Sequence, residues 1–199
     1  MIMADVFVGS LVDPAIDAHA LLNASNPHVA MGSGVSGAIA EVCGDGFQAL
    51  VREVWKEEFD EPLEPEDCLV TSAGDAKAFR WVLHVPAVDY KKRDPETGGS
   101  SGPSRVAACT KSALVEAVEL SQQVESHFVL ALPLLGAGHG GLGPVASAGA
   151  MMGAVRAFLE TKPSARMVLR FAVLEASHEG LIRNAAERHG VPFVDGEVS

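Results

Sequence analysis

Two glycine-rich stretches of this 199-residue chain each follow an apolar run and precede a helical pattern. Residues 21–37 read LLNASNPHVAMGSGVSG, and residues 132–144 read LPLLGAGHGGLGP. Glycine lets backbone N–H groups approach a ligand closely, and the start of a helix adds unpaired N–H groups and a favourable dipole. Both stretches therefore predict a site for an anion such as a phosphate.

The charge balance limits how such an anion would be held. The chain has 15 Lys and Arg against 26 Asp and Glu, a formal net charge of −11 at pH 7. A surface for nucleic acids in general needs clustered Lys and Arg, so this composition argues against one. If the protein binds a phosphate, we expect backbone N–H groups rather than basic side chains to contact it.

Other features of the composition indicate a cytoplasmic globular protein. No window contains the roughly 18 uninterrupted apolar residues of a membrane span, and the N-terminal MIMADVFVGS lacks the basic start of a secretory signal. Cys43, Cys68 and Cys109 are far apart and odd in number. We therefore expect reduced, buried thiols, and neither a disulfide framework nor a metal site.

Hydrophobic periodicity gives the order of the elements that position the glycine stretches. It predicts strands at 5–12, 18–22, 69–72, 81–85, 128–134 and 167–174, and helices at 35–42, 47–59, 106–124, 144–159 and 181–189. This order predicts one α/β domain over residues 1–199, a three-layer α/β/α sandwich with a mixed, mostly parallel central sheet. The polar residues 89–104 are predicted to form a mobile surface loop.

The second glycine stretch also permits a different interpretation. Gly136, Gly138 and Gly141 match the G-x-G-x-x-G pattern of a Rossmann dinucleotide-binding protein. However, the pattern lies late in the chain, with one clear strand after it. The acidic residue at the end of that strand, Glu175, is farther away than the usual spacing of about 20 residues. The pattern alone is therefore weak support for a Rossmann fold.

Taken together, three segments resemble the macrodomain family, whose members bind ADP-ribose. NASNPHVAMGSGVSGAI is similar to the first signature of that family, WVLHVPA to its V-I-H-x-V strand, and LPLLGAGHGGLGPVASA to its second phosphate loop. The resemblance runs from about residue 6 to about residue 188. It implies a cleft at the C-terminal ends of the strands that takes ADP-ribose or an ADP-ribosylated macromolecule, with no cofactor and no metal.

The resemblance also implies roles for particular residues. Asn26 would bind the hydroxyls of the distal ribose, Asn23 would brace its loop within the same site, and His178 would stack on the adenine. The backbone N–H groups that would clamp the diphosphate belong to Gly32, Ser33, Gly34, Val35, Ser36, Gly136, Ala137, Gly138, His139 and Gly140. Asn26 as a turn former, and His84 as a core histidine that donates to a backbone carbonyl, are the purely structural alternatives.

The departures from the family pattern concern the adenine and the chemistry. Ser10 stands where the family has an acid that holds the adenine, and Asp13 or Asp17 would have to replace that acid. Ser36 stands where the hydrolytic members have an acid. The sequence thus favours ligand binding over catalysis. It leaves open an ADP-ribose reader or a hydrolase that removes ADP-ribose from acidic side chains, with Asn26 and His139 as the catalytic candidates.

Overall fold

The computed structural model describes residues 1–162 and 164–194, within which six strands form one sheet and five α-helices flank it. The strands are β1 (Ile2–Val8), β2 (Ala20–Ala24), β3 (Leu69–Ser72), β4 (Trp81–Val85), β5 (Phe128–Leu132) and β6 (Met167–Val173). The helices are α1 (Gly34–Cys43), α2 (Phe47–Glu58), α3 (Pro103–Ser121), α4 (Pro144–Thr161) and α5 (Ser177–His189). A single 3-10 turn, Pro14–Ile16, lies between β1 and β2.

The sheet is mixed, with the strand order β1-β6-β5-β2-β4-β3. Every neighbouring pair is parallel except β3 and β4, which are antiparallel. The C-terminal ends of five strands therefore meet at one edge of the sheet. The loops that contain both glycine stretches emerge there, as open α/β sheets place their ligands.

Helices cover both faces of the sheet, which confirms the predicted three-layer sandwich. On one face α1 and α2 contribute Ile39, Phe47 and Val51, all at most 2% exposed, to the smaller apolar cluster. On the other face α3, α4 and α5 pack side by side and build the larger cluster. All seven residues of β6 are buried, as expected for a central strand covered on both faces.

Several boundaries differ from the sequence prediction for local reasons. The first strand ends at Val8 rather than at residue 12, because its partner β6 ends at Val173, the residue that pairs with Val8. β5 ends at Leu132 rather than at residue 134, since Pro133 has no N–H to continue the ladder. α3 begins at Pro103, a favoured first helical residue. α5 begins at Ser177, four residues before the predicted start.

The three cysteines are thiols, as predicted. All three cysteines are free; Cys43 and Cys109 are buried, and Cys68 is partly buried. Burial, together with nearby Asp75, raises the pKa of the Cys43 thiol to about 12, so this thiol is not a reactive thiolate. Among the described helices, none is both long and apolar enough to cross a bilayer.

Candidate ligand-binding cleft

A cleft of about 190 Å³ opens at the C-terminal edge of the sheet. Three loops surround it: the first loop, residues 25–33 between β2 and α1; the second loop, residues 133–143 between β5 and α4; and the third loop, residues 86–102 between β4 and α3. The residues lining the cleft are Ala24, Ser33, Gly34, Val35, Val88, Tyr90, Pro133, Leu134, Gly136, Gly138, His139 and Gly140. The two glycine stretches thus face each other across one cavity.

The first turn of α1 forms one wall of the cleft. Within the described residues, the backbone N–H groups of Gly34, Val35 and Ser36 have no hydrogen-bond partner, and the Ser33 side chain does not cap the helix. The first paired N–H is that of Gly37, which donates to the Ser33 carbonyl over 3.1 Å. Three unpaired donors at a helix N-terminus are well suited to an anion.

The second loop forms the opposite wall through its backbone. Leu142 N donates to Gly136 O (3.1 Å), and Gly141 N donates to Gly138 O (3.0 Å), so the loop is closed on itself. Gly136 has φ 71°, in the left-handed region that favours glycine. The N–H groups of Gly138, His139 and Gly140 make no hydrogen bond in the described part of the chain. These free N–H groups form a second anion-binding concavity.

A buried polar network fixes the wall formed by α1. Ser36 Oγ donates to Asn23 Oδ1 (2.8 Å), Asn23 Nδ2 contacts His84 Nδ1 (3.0 Å), and His84 Nε2 contacts Thr71 Oγ1 (3.0 Å). With the amide donating to Nδ1, the imidazole carries its proton on Nε2 and donates it to Thr71. Complete burial lowers the pKa of His84 to about 3, so the ring is neutral.

This network corrects the expected partner of His84 and locates the Asn23 side chain. His84 is a core histidine, as expected, but it bridges two side chains instead of donating to a backbone carbonyl. The Asn23 side chain is 0% exposed and is engaged on both sides, so it braces α1 from below and does not reach the cleft.

The first loop is a compact turn held by two amide side chains. Asn26 Oδ1 accepts from His28 N (3.0 Å), and Asn26 Nδ2 donates to Ala30 O (3.0 Å). From α2, Gln48 accepts from Met31 N (2.7 Å) and donates to Val29 O (3.3 Å). Val29 is fully buried with φ 47°, an unusual conformation for a β-branched residue. Side chains therefore impose a strained backbone beside the cleft.

The third loop contributes two residues that the sequence analysis did not assign to the site, Val88 and Tyr90. This loop was predicted to be a polar surface segment unable to build a core, yet Ser101 and Asp89 in it are buried. Ser101 Oγ donates to Ala87 O (2.6 Å), and Ser100 N donates to Gly140 O in the second loop (3.2 Å). The loop is therefore docked on the cleft; its mobility stays a prediction.

The cleft is electrically neutral along its described lining. No Lys, Arg, Asp or Glu lines it, and His139, an exposed residue, is its one ionisable side chain apart from Tyr90. The acids considered for the adenine lie elsewhere. Asp13 accepts from Ala15 N (2.9 Å) and caps the 3-10 turn, and Asp17 ends that turn with φ 46°.

The predicted site residues divide into three groups by position. Seven line the cleft: Ser33, Gly34, Val35, Gly136, Gly138, His139 and Gly140. Gly32, Ser36, Ala137 and Asn26 belong to the adjoining backbone without lining it. His178 lies on the first turn of α5, with Nε2 3.9 Å from Glu175 Oε2, and is not part of the lining. The cleft-lining residues that the sequence did not predict lie at or after strand ends: Ala24, Val88, Tyr90, Pro133 and Leu134.

Exposed apolar side chains lie near the C-terminal ends of β1 and β6. Leu174, just after β6, is 82% exposed, and Val8, at the end of β1, is 48% exposed. Val145, on the first turn of α4, is 55% exposed. Val8 pairs with Val173, so Val8 and Leu174 lie at the ends of neighbouring strands, along the edge of the sheet that contains the cleft. Exposed apolar side chains at such an edge are suited to a planar ring.

Comparison with known proteins agrees with this geometry. The Macro domain family matches residues 22–151. An uncharacterized protein of Pyrobaculum aerophilum is 32% identical over 159 residues, which is 80% of this chain and 77% of the relative. An uncharacterized protein of Aquifex aeolicus is 28% identical over 153 residues, 77% of this chain and 81% of that protein.

Solved structures share the fold at lower identity. A mutant of the Oceanobacillus iheyensis macrodomain with ADP-ribose superposes with a TM-score of 0.75 and 18% identity, over 92% of this chain and 91% of that one. The Trypanosoma brucei macrodomain in complex with ADP-ribose gives a TM-score of 0.67 and 21% identity, over 91% and 68% of the two chains.

The chain belongs to the macrodomain family. Its mixed sheet does not have the 3-2-1-4-5-6 order of a Rossmann protein, although Gly136, Gly138 and Gly141 follow a strand and precede a helix.

Proposed function

We propose that the protein binds ADP-ribose, free or attached to a macromolecule, with its diphosphate between the first turn of α1 and the second loop. The observation that carries this proposal is the pair of unpaired N–H sets, at residues 34–36 and 138–140, on opposite sides of one neutral cleft. Two such sets can contact both phosphates without a fixed positive charge. The macrodomains with ADP-ribose that share this fold support the proposal.

The strand order favours one direction of the ligand along the cleft. The adenine would lie toward β1 and β6, against the exposed Val8 and Leu174, with His178 of α5 at the same end. The distal ribose would then lie toward β4, where Asn26 and the third loop are found. Discrimination among bases should be weak, because Ser10 stands where an acid would be needed and Asp13 is engaged in its own turn.

A calorimetric titration with ADP-ribose tests the binding proposal, and Gly138→Val is the informative variant. A Cβ at Gly138 would meet no protein atom within 4 Å, so the added side chain would project into the cleft and leave the fold intact. We expect it to reduce affinity at least about 100-fold, by displacing the diphosphate. Gly180→Val is the matched control, since Gly180 is exposed on α5 and equally free of neighbours.

Unchanged affinity in Gly138→Val would contradict the placement of the diphosphate. Gly34→Glu would be less informative, because Gly34 has φ 57° and glutamate there would also strain the backbone. Gly138 therefore gives the cleaner result.

A second candidate function is slow hydrolysis of ADP-ribose from an acidic side chain. His139 supports it, because this exposed imidazole lines the cleft beside the free N–H groups. Asn26, whose amide is engaged in its turn, would act near the distal ribose by positioning a water rather than as a base. No carboxylate lines the described cleft, so binding without turnover, a reader function, is the first candidate.

Release of ADP-ribose from an ester-linked peptide distinguishes the reader from the hydrolase. If His139 is a general base, His139→Ala should remove most of the rate while sparing affinity. Wild-type turnover in that variant would make His139 a rim residue. No turnover in the parent protein would favour the reader.

The net charge argues against binding of nucleic acids in general, and a cytoplasmic location remains a prediction.

A further inference from the structure

Tyr90 is the single tyrosine of the chain, and it is placed unusually for a large side chain. It lines the cleft, yet it is 63% exposed. In the described part of the chain its hydroxyl has no hydrogen-bond partner and its ring makes no aromatic contact. An aromatic ring beside a cavity with no protein partner has most of its surface free for a ligand.

The backbone on both sides of Tyr90 is nevertheless fixed. Asp89 is 7% exposed, and its Oδ1 accepts from Lys91 N (2.9 Å) and Lys92 N (3.3 Å), closing a tight turn around Tyr90. Asp89 N donates to Ser100 O over 2.7 Å. Little conformational entropy of this backbone would therefore be lost on binding, which favours a contact between the ring and a ligand.

The turn is also attached to the wall that would hold the diphosphate. Ser100 N donates to Gly140 O (3.2 Å), and a Cβ at Gly99 would lie only 2.8 Å from that same oxygen. The third loop therefore approaches the second loop as closely as glycine permits. Tyr90 is positioned relative to the free N–H groups of residues 138–140 by this contact.

The direction in which Tyr90 points follows from its neighbours. Val88 and Tyr90 line the cleft, whereas Asp89 and Lys91 line a separate cavity of about 120 Å³ next to it. The loop thus separates two cavities, with alternate residues facing each. Because the loop follows β4, Tyr90 lies at the end of the cleft away from β1 and β6. Under the proposed binding mode, that end receives the sugar beyond the diphosphate.

We propose that the ring of Tyr90 contacts the distal ribose of ADP-ribose and gives the protein its preference for ADP-ribose over ADP. The inference rests on the proposed function, and it adds a residue from the third loop to a site otherwise built from the two glycine-rich loops. The ring covers the sugar, excludes water from it and leaves the adenine half of the ligand untouched. Loss of the ring therefore weakens ligands that contain the distal sugar and spares those that lack it.

Calorimetry of Tyr90→Ala with ADP-ribose and with ADP tests this inference. We expect affinity for ADP-ribose to fall about tenfold and affinity for ADP to change less than about twofold. Tyr90→Phe is the matched control; it retains the ring and is expected to bind ADP-ribose within about twofold of the parent. The melting temperature of each variant, measured without ligand, shows that the exposed side chain can be removed without unfolding.

The alternative outcomes overturn different statements. Unchanged ADP-ribose affinity in Tyr90→Ala overturns the contact, and an equal loss for ADP and ADP-ribose overturns the assignment to the distal sugar. If Tyr90→Phe binds ADP-ribose as weakly as Tyr90→Ala does, the hydroxyl and not the ring makes the contact, which overturns the role of the ring. A parent protein that binds neither ligand instead overturns the proposed function itself.

Discussion

The first turn of α1 and the second loop offer the same kind of group to the cleft, unpaired backbone N–H, but they are held in different ways. Side chains position the first: Asn26 and Gln48 hold the turn, and Asn23 holds Ser36 on α1. The second is held by its own backbone, through Leu142 N to Gly136 O and Gly141 N to Gly138 O. The first wall should therefore be sensitive to lost side chains, and the second to added ones.

The largest expected effect follows from adding a side chain to the second loop. In Gly140→Ala the new Cβ would lie 2.6 Å from Gly136 O and 2.8 Å from Gly136 Cα, both backbone atoms that cannot rotate away. We expect a loss of about 3 kcal/mol in the free energy of unfolding. Gly32→Ala is the counterpart beside the first wall, where a Cβ meets nothing within 4 Å, and should change stability by less than about 0.5 kcal/mol. Denaturant unfolding of the two variants measures both free energies. Equal losses in Gly140→Ala and Gly32→Ala would contradict the difference between the two walls.

Removing a side chain should instead destabilise the wall formed by α1, which side chains hold in place. Asn23→Ala removes the Asn23 partner of the buried Ser36 hydroxyl and leaves Nδ1 of the His84 ring unpaired in the core, so we expect a loss of about 2.5 kcal/mol in the free energy of unfolding. Asn26→Ala removes hydrogen bonds from a partly exposed turn, and its loss should stay below about 1 kcal/mol. Chemical denaturation of both variants tests the ranking. A larger loss for Asn26→Ala would mean that the turn, and not the buried network, holds α1.

The buried network also predicts a dependence of stability on pH. Unfolded histidine takes up a proton near pH 6.5, whereas burial lowers the pKa of His84 in the folded protein to about 3. The unfolded state therefore binds more protons below pH 6.5, and stability is lost as the pH falls. Between pH 7 and pH 5 this residue should reduce the free energy of unfolding by about 2 kcal/mol.

Two measurements assign that pH dependence to His84. The slope of stability against pH should decrease in His84→Gln by the share of one proton. If that variant does not fold, nitrogen chemical shifts of the parent should show the His84 ring neutral, with its proton on Nε2, at pH 5. A His84 signal that titrates near pH 6.5 would refute the assignment. Burial, and then Arg80, also lower the pKa of the partly buried His19, so the total slope of the protein exceeds one residue's share.

Salt should have the smallest effect of all. Both loops offer N–H groups and no Lys or Arg lines the described cleft, so ADP-ribose affinity should change by less than about threefold between about 50 and about 150 mM salt. Calorimetry at the two concentrations is sufficient. A steep loss would indicate that basic side chains outside the lining, such as Lys91 and Arg105 of the neighbouring cavity, contact the ligand.

How much of this could be predicted from sequence depended on whether the determining contacts were local. β3 and β4 were predicted to the residue, because alternation and flanking turns specify them. Both glycine stretches line the cleft, each between a strand and a helix, and their role in binding stays a prediction. Tyr90 was missed because its position depends on Ser100 N reaching Gly140 O, a contact between loops 40 residues apart that no local pattern encodes. The partners of His84 were missed likewise, since Asn23 on β2 and Thr71 on β3 supply them.

The docking of the third loop on Gly140 would separate two properties: binding of the diphosphate and selectivity for the rest of the ligand. In the proposed binding mode main-chain amides hold the diphosphate, so substitutions elsewhere in the cleft need not alter its binding. Residues 88–91 face alternately into the cleft and into the cavity beside it, and the side chains there can vary without disturbing those amides. Under that binding mode, changes of side chain at these four positions would alter selectivity for the group attached to the sugar, and a directed library there would test this.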